Sequence, residues 1–191
     1  MQDHIVDKIK KCERGKLYLS ITGGGTGCIP ILLEGGGASG VFIGANIPYS
    51  SSELRNLIGN VQKSCSADTA KKLANSFSFT TESEIGDDYI IGVGCTASLR
   101  KAEKEREDRV HEFYIHVHTY SKTLGHRECC QFHIVLNEKR TRVSEEVIVS
   151  RFILAAADQY LNLNKRFFLQ IPEYTQWIGL TKKDKVDWNV L

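Results

Sequence analysis

A glycine-rich turn, Thr22–Gly27, carries two hydroxyls and is the segment of this sequence best suited to hold an anion. It follows an apolar stretch at 16–21 and precedes a predicted helix from about 26 to 34. Glycines let a ligand approach the main chain closely, and free N–H groups at the start of a helix favour an anion. The hydroxyl of Thr22 is also a candidate for chemistry. The candidate ligand contacts of this turn are Gly23, Gly24, Gly25 and Thr26.

Glycine turns between a strand and a helix also occur for packing alone, so anion binding and a structural role are both open at this point. The turn is not a Walker motif, because no Gly-Lys-Ser/Thr follows it. It is not a dinucleotide fingerprint either, because no acidic residue closes a second strand at the required distance.

Two further polar segments follow predicted apolar strands. Pro48–Ser52 comes after a strand at 41–47, and Cys95–Leu99 comes after a strand at 88–94. If these strands are parallel, their carboxyl ends share the edge of the sheet where ligands bind in α/β proteins. The sequence therefore predicts a cleft walled by three turns. The candidates on the two added walls are Tyr49, Ser50, Ser51, Cys95, Thr96 and Ala97.

Several of these side chains have an ordinary structural explanation. The thiol of Cys95 is a possible nucleophile, but buried cysteine is common in cores. Tyr49 is suited to stack on a base or nicotinamide ring, and it is equally suited to a core. Lys101 and Arg109 flank the third turn, where they would hold a phosphate or simply be solvated.

The elements that must position these turns alternate between helix and strand, which predicts a three-layer α/β/α sandwich. Ser50 and Glu53 have the spacing of a capping box, which predicts a helix that ends at Ile58. The remaining predicted helices are 4–14, one beginning after Ser66, and 143–161, and the remaining strands are 111–119, 126–136 and 167–171.

Length and composition exclude several classes of function. The 191 residues form a single predicted domain, and the net charge of +2 gives no reason to expect nucleic acid or an anionic membrane as a partner. No apolar run approaches the roughly 18 residues of a membrane span. The N-terminus lacks a signal core, so a cytoplasmic protein is expected.

The cysteines and histidines do not predict a metal centre. The six cysteines contain no C-x-x-C pair, which favours reduced thiols and argues against structural zinc. His116 and His118 share one strand face, but a bare i, i+2 pair lacks a third ligand. We therefore expect no metal and no cofactor.

An ordered series of short motifs resembles the CinA C-terminal domain, the nicotinamide-nucleotide amidohydrolase (NMN deamidase) family. The resemblance spans roughly residues 16–161, with Cys95–Leu99 resembling a divergent branch. It is carried by Thr22-Gly23-Gly24-Gly25, Gly37-Ala38-Ser39, Pro48-Tyr49-Ser50, Leu57-Ile58-Gly59 and Cys65-Ser66-Ala67-Asp68-Thr69-Ala70.

The resemblance implies an α/β fold, a pyridine mononucleotide ligand, and hydrolysis of a carboxamide to an acid and ammonia. Ser39 joins the implied substrate contacts, and Thr22, Tyr49 and Ser50 become the implied catalytic residues. Family members carry a serine nucleophile and a lysine base. When the motifs are aligned without gaps, the serine position holds Thr22 and the lysine position holds Leu54. Leucine accepts no proton, and the neighbouring Arg55 stays charged.

Two functions follow as hypotheses. The first is an amidohydrolase acting on nicotinamide mononucleotide, with Thr22 as nucleophile or oxyanion support. The second is a catalytically silent module that binds or senses pyridine nucleotides in NAD metabolism. Trp177 and Trp188 also suggest a homo-oligomer, because aromatic residues are enriched at interfaces.

Overall fold

The fold was analysed in a computed structural model that describes residues 2–77, 88–101, 109–162 and 167–191. Its helices are α1 (Gln2–Lys10), α2 (Cys28–Leu33), α3 (Ser51–Ile58), α4 (Ala67–Ala74), α5 (Arg142–Leu161) and α6 (Pro172–Ile178). Its strands are β1 (Gly15–Thr22), β2 (Phe42–Asn46), β3 (Tyr89–Ser98), β4 (Glu112–Ser121), β5 (Gly125–Val135) and β6 (Lys185–Val190).

All six strands form one mixed sheet in the order β2-β1-β3-β4-β5-β6. β1 runs parallel to both β2 and β3, whereas the pairs from β3 to β6 are antiparallel. The first three strands are thus parallel, which is the condition on which the predicted cleft depends. Their carboxyl ends therefore meet at one edge of the sheet.

The two faces of the sheet differ sharply in polarity, because successive side chains alternate between them. One face is apolar and is covered by α1, α2, α5 and α6. Phe152 of α5 packs edge-on against Phe113 and Phe132, with ring centroids 5.4 and 5.2 Å away. Burying side chains of this size contributes about 1.5–3 kcal/mol each, so this face forms the main core.

The other face carries polar and aromatic side chains and is covered in part by α4 and its neighbour α3. α4 approaches the sheet at Gly94, where an added Cβ would lie 2.1 Å from the carbonyl oxygen of Ala70. Only glycine permits this approach. The helix thus rests on the β3 backbone, and the three-layer α/β/α sandwich is confirmed.

Helix starts follow the predicted capping chemistry. Ser50 accepts the N–H of Glu53, and Ser66 accepts the N–H of Thr69, which satisfies N–H groups that lack a partner within the helix. The Thr141 hydroxyl caps α5 in the same way, because it accepts the N–H of Ser144. In the described part of the chain, no helix is long and apolar enough to cross a membrane.

Three expectations differ from the structure. Residues 95–98 continue β3 instead of forming a turn, because Thr22 and Thr96 extend the β1–β3 ladder. Residues 168–170 form a 3-10 helix instead of part of a strand. The polar tail supplies β6, which pairs with β5. Most of the charged run, 102–108, lies outside the described residues.

Candidate functional site

The carboxyl ends of β1, β2 and β3 bring the three predicted segments together. Thr22 and Thr96 are direct neighbours across the β1–β3 pair. The Thr22 hydroxyl donates a 2.8 Å hydrogen bond to the carbonyl oxygen of Pro48, in the segment after β2. The edge of the sheet is therefore the candidate site.

The hydroxyls nearest this edge hold the backbone in place. Thr22 is 6% exposed, and its hydroxyl donates its hydrogen bond to the carbonyl oxygen of Pro48. Thr96 is 1% exposed and donates at 2.6 Å to the carbonyl oxygen of Ser64. Among the described residues, no Lys, His or Cys side chain lies within hydrogen-bond distance of the Thr22 hydroxyl. Leu54, at the family lysine position, is buried in α3.

The serines after β2 organise the start of α3. The Ser50 hydroxyl caps the helix and also pairs with the hydroxyl of Ser52 at 2.8 Å. Ser51 is exposed on the first turn of α3. Tyr49 is 78% exposed, so it lies on the surface.

Ser39 lies at the opposite end of the strands, where β1 and β2 begin. It belongs to a 3-10 helix, Ala38–Gly40, that precedes the amino end of β2. Lys16, near the amino end of β1, donates at 2.8 Å to the carbonyl oxygen of Gly40. The structure therefore separates Ser39 from Thr22 by the length of the strands.

The N–H groups of the glycine turn hold a carboxylate from within the protein. Glu146 of α5 accepts the N–H of Gly25 at 2.7 Å and that of Gly27 at 3.4 Å. The same oxygen lies 3.5 Å from the Thr26 hydroxyl. The N–H groups of the turn therefore bind an anionic group, but that group is the Glu146 carboxylate of the same chain.

Arg142, one helical turn before Glu146, completes the contact between α5 and this turn. Its guanidinium donates at 2.8 Å to the carbonyl oxygen of Gly23 and lies 3.8 Å from the second Glu146 oxygen. Gly23 has φ of +78°, and a Cβ there would meet the Ala97 carbonyl oxygen at 2.0 Å. Packing against β3 therefore requires this glycine, which supports the structural explanation of the turn.

The thiol of Cys95 lies in the main core, where its sulfur is 3.9 Å from the carbonyl oxygen of Gly24 in the glycine turn. Alternation along β3 places Cys95 and Ala97 on the apolar face and Thr96 on the polar face. Cys95 is fully buried, and burial, followed by the nearby Cys28, raises the pKa of its thiol well above the usual range. A thiol of this kind is a poor nucleophile.

The segment after β2 and helix α3 line an open cleft of about 310 Å³ beside the Thr22 contact. Amide and carboxylate groups and two aliphatic side chains form its walls. The lining residues are Asn46, Ile47, Pro48, Glu53, Asn56 and Leu57. Asn56 lies 3.4 Å from a Glu53 oxygen, so the polar groups of the cleft are arranged by α3.

A polar cluster at the same edge was not predicted from the sequence. The Glu112 carboxylate accepts hydrogen bonds from His133 at 2.8 Å, Lys63 at 3.1 Å and Tyr114 at 3.2 Å. Burial opposes ionisation of Glu112, but these bonds outweigh it and lower the pKa of the carboxyl. Strand alternation does place Glu112 and Tyr114 on one face, whereas nothing in the sequence points to Lys63.

The histidine pair on β4 is packed between the sheet and α4. His116 is fully buried and His118 is 4% exposed. His118 makes a 3.0 Å hydrogen bond to His126 of β5. No group of three or more potential ligands that could hold a metal occurs in the described ranges. These histidines therefore belong to the packing of the polar face.

No family model matches this sequence, and no curated protein matches it. The fold is nevertheless similar to solved structures of the competence-damaged protein (CinA) superfamily. One from Klebsiella pneumoniae is 11% identical, with 86% of this chain and 99% of that chain covered and a TM-score of 0.59. The competence damage-inducible protein A of Klebsiella pneumoniae subsp. pneumoniae is 10% identical, with 84% and 97% covered and a TM-score of 0.57.

A third similar structure is a CinA superfamily protein from Enterobacter cloacae. It is 13% identical, with 84% of this chain and 92% of that chain covered and a TM-score of 0.56. The similarity covers nearly the whole of each of these chains. This chain therefore has the CinA-like α/β fold, as the sequence resemblance implies.

Proposed function

We propose that this chain is a CinA-like domain that binds a pyridine mononucleotide without hydrolysing its carboxamide. The observation that carries this proposal is the hydrogen bond from the Thr22 hydroxyl to the Pro48 carbonyl. A hydroxyl nucleophile needs a base that removes its proton, and a backbone carbonyl is not such a base. Thr22 therefore ties β1 to the segment after β2.

The cleft beside Thr22 supports binding of a nicotinamide ring. Asn46 and Asn56 offer amide donors and acceptors that complement a carboxamide. Glu53 accepts hydrogen bonds and so suits ribose hydroxyls, while Ile47 and Leu57 provide apolar walls. Its volume of about 310 Å³ lies at the small end of the range for ligand pockets, which favours a mononucleotide over a dinucleotide.

The glycine turn has a supporting role in this proposal. Because Glu146 already accepts the N–H groups of Gly25 and Gly27, the ligand phosphate does not bind there. The turn instead fixes α5 against the sheet. The site is then defined by α3 and the segment after β2.

The test combines a thermal-shift titration with an assay for released ammonia, both with nicotinamide mononucleotide. We expect the melting temperature to rise with ligand concentration and no ammonia above the protein-free blank. Ammonium chloride added to the same mixture checks the detection. Enzyme-dependent ammonia release would contradict the silent-module proposal, and the absence of any shift would contradict binding.

A matched pair of variants locates the ligand. Asn56→Ala removes an amide from the cleft, and we expect it to weaken binding about tenfold. Asn75→Ala changes an exposed asparagine at the end of α4 and should leave the titration unchanged. Equal titrations for both variants would remove the cleft from the proposal.

A further inference from the structure

A second open cavity, with a volume of about 470 Å³, lies where β3 and β5 end and β4 begins. The candidate cleft adjoins β2, and the two share no lining residue. The cavity wall contains three cationic side chains, one carboxylate and several apolar side chains. Those that matter here are Arg100, Arg109, Lys139, Glu138, Val110 and Val135. The wall therefore has more positive than negative charges.

Two of the charges in this wall already have partners of opposite sign. The backbone N–H of Arg100 donates at 2.6 Å to the buried Glu145 carboxylate, and the Arg100 Nε lies 3.9 Å from the same carboxylate. Glu138 lies 3.7 Å from Arg140 and 3.8 Å from Lys183. The one carboxylate of the wall is thus paired with cations that lie outside the cavity.

Arg109 and Lys139 lack such partners, since neither side chain forms an ion pair within the described ranges. The Arg109 guanidinium donates at 3.1 Å to the Ser98 hydroxyl, but its buried Nε has no hydrogen-bond partner in the described part of the chain. A guanidinium stays charged at neutral pH, and a buried donor without an acceptor is destabilising. An anion in the cavity would satisfy both the charge and the donor.

We propose that this cavity binds the phosphate group of a small ligand. A phosphate group carries nearly two negative charges at neutral pH, which matches the two cations without an ion pair. The planar guanidinium of Arg109 presents N–H donors in a fork that fits two phosphate oxygens. Lys139 is exposed and adds its charge at the rim. The sequence alone left Arg109 open between phosphate binding and solvation, and its buried Nε favours the first.

The dimensions of the cavity favour a phosphate ester over free phosphate. Its volume of about 470 Å³ lies within the range for small-molecule ligands, so an organic group has room beside the phosphate. Val110 and Val135 line the cavity, and Val110 is 51% exposed. An apolar group on the ligand would remove this surface from water, which is favourable. The inference does not rest on the proposed nucleotide cleft.

The test is titration of the full chain with phenyl phosphate and, separately, with inorganic phosphate, by calorimetry and thermal shift at neutral pH and constant ionic strength. Phenyl phosphate lacks the ribose and carboxamide that the cleft is proposed to recognise. We expect both compounds to bind and the ester to bind several-fold more tightly. No binding of either compound would overturn the proposal. Equal affinities would overturn the assignment of an ester and leave free phosphate as the ligand.

Matched variants locate the phosphate. Arg109→Gln removes the charge and the fork, and we expect the dissociation constant of phenyl phosphate to rise about tenfold or more. Lys139→Gln should raise it several-fold, and its exposed position keeps the test valid if Arg109→Gln does not fold. Arg55→Gln is the control, because Arg55 is exposed on α3 and lies outside the cavity. Equal dissociation constants for all three variants would overturn the proposal.

A spectroscopic measurement tests the role of Arg109 directly. In heteronuclear NMR spectra, the Nε–H signal that is missing from Arg109→Lys should shift when phenyl phosphate is added to the unmodified chain. A fixed signal while the ligand binds would overturn the proposal. Asn56→Ala alters only the cleft, so loss of phenyl phosphate binding in this variant would assign the phosphate to the cleft instead. Failure of this proposal and failure of the nucleotide proposal therefore give different results.

Discussion

Glu146 and Gly25 are 121 residues apart in sequence, yet a carboxylate oxygen of the first lies 2.7 Å from the backbone nitrogen of the second. This contact connects the longest helix to the turn after β1. It occupies the N–H groups that the sequence left open to either an external anion or a structural role. The same glycine pattern is therefore compatible with ligand binding and with a permanent internal contact.

Removal of the Glu146 carboxylate should lower stability. Glu146→Ala leaves the N–H of Gly25 without its acceptor, and we expect the free energy of unfolding to fall by about 1–3 kcal/mol. Glu146→Gln keeps an oxygen acceptor and should cost less than half as much. Urea denaturation measures both, with Glu13→Ala in an exposed loop as the matched control. A loss equal to that of the control would show that the contact contributes nothing.

Acid should destabilise the polar face through His118. Burial, with additional effects of His126 and His116, lowers the pKa of His118 from 6.5 to about 4. The unfolded chain takes up a proton near pH 6.5, whereas the folded chain does so only near pH 4. This group therefore removes up to roughly 3 kcal/mol as the pH falls through that window, and nothing above it.

The charged groups that face this histidine from α4 and β5 are Lys71 and Glu128, which form an ion pair with each other. Urea denaturation at a series of pH values gives the stability profile. His118→Phe, which keeps an aromatic ring beside Phe77, should make the profile less steep between pH 6.5 and pH 4. Part of the slope should remain, because burial also lowers the pKa of His116. Parallel profiles for the two proteins would assign the acid sensitivity to other groups.

An added methyl group at Gly94 should disrupt the contact between α4 and the sheet. Its Cβ would lie 2.1 Å from the Ala70 carbonyl oxygen and 2.3 Å from the Ala74 nitrogen. Both are backbone atoms, so neither yields by a change of rotamer. We expect Gly94→Ala to cost about 3 kcal/mol or more. Gly40→Ala, where a Cβ has nothing within 4 Å, should change the melting temperature little.

Asp184 should be essential for docking β6. Its carboxylate is fully buried and accepts hydrogen bonds from Arg140 at 2.8 Å and from the N–H of Asn137 at 3.0 Å. Burial opposes its ionisation, but the Arg140 hydrogen bond and others outweigh this and lower the pKa of Asp184. The stabilisation is therefore present above pH 3.8 and is lost below it.

Asp184→Asn removes the charge that Arg140 pairs with and should cost about 3–5 kcal/mol, the usual effect of breaking a buried ion pair. Asp187→Asn, on the exposed side of β6, provides the control and should change stability by less than about 0.5 kcal/mol. Thermal denaturation distinguishes the two. Similar melting temperatures for the Asp184→Asn and Asp187→Asn variants would mean that the charge of Asp184 is not needed and that its hydrogen bonds are sufficient to dock β6.

Local signals in the sequence were sufficient to predict many of the helices and strands. Ser50 with Glu53 marked the start of α3, and the nearly all-apolar segment 88–94 marked a central strand. These features depend on residues a few positions apart, which the chain reveals directly. The convergence of three segments at one edge followed from the α/β alternation alone.

Contacts between residues far apart in sequence could not be predicted in the same way. Glu146 was one of two adjacent acidic residues, with Glu145, in the first turns of a long helix, and nothing nearby in sequence marks its contact with Gly25. Lys63 reaches Glu112 across 49 positions. β6 was missed because its charged and polar residues resemble a solvated tail, and only pairing with β5 makes it a strand.

The alternation along β4 sets a limit on how this chain tolerates insertion and deletion. Its odd-numbered side chains, such as Phe113 and Ile115, lie in the dry core, and its even-numbered ones, such as Glu112 and His116, lie on the polar face. A single residue added or lost within the strand would exchange the two sets and place a carboxylate against Phe152. Residue-by-residue replacement is therefore less restricted in β4 than a change in its length, whereas the exposed turn at 122–124 is free to lengthen.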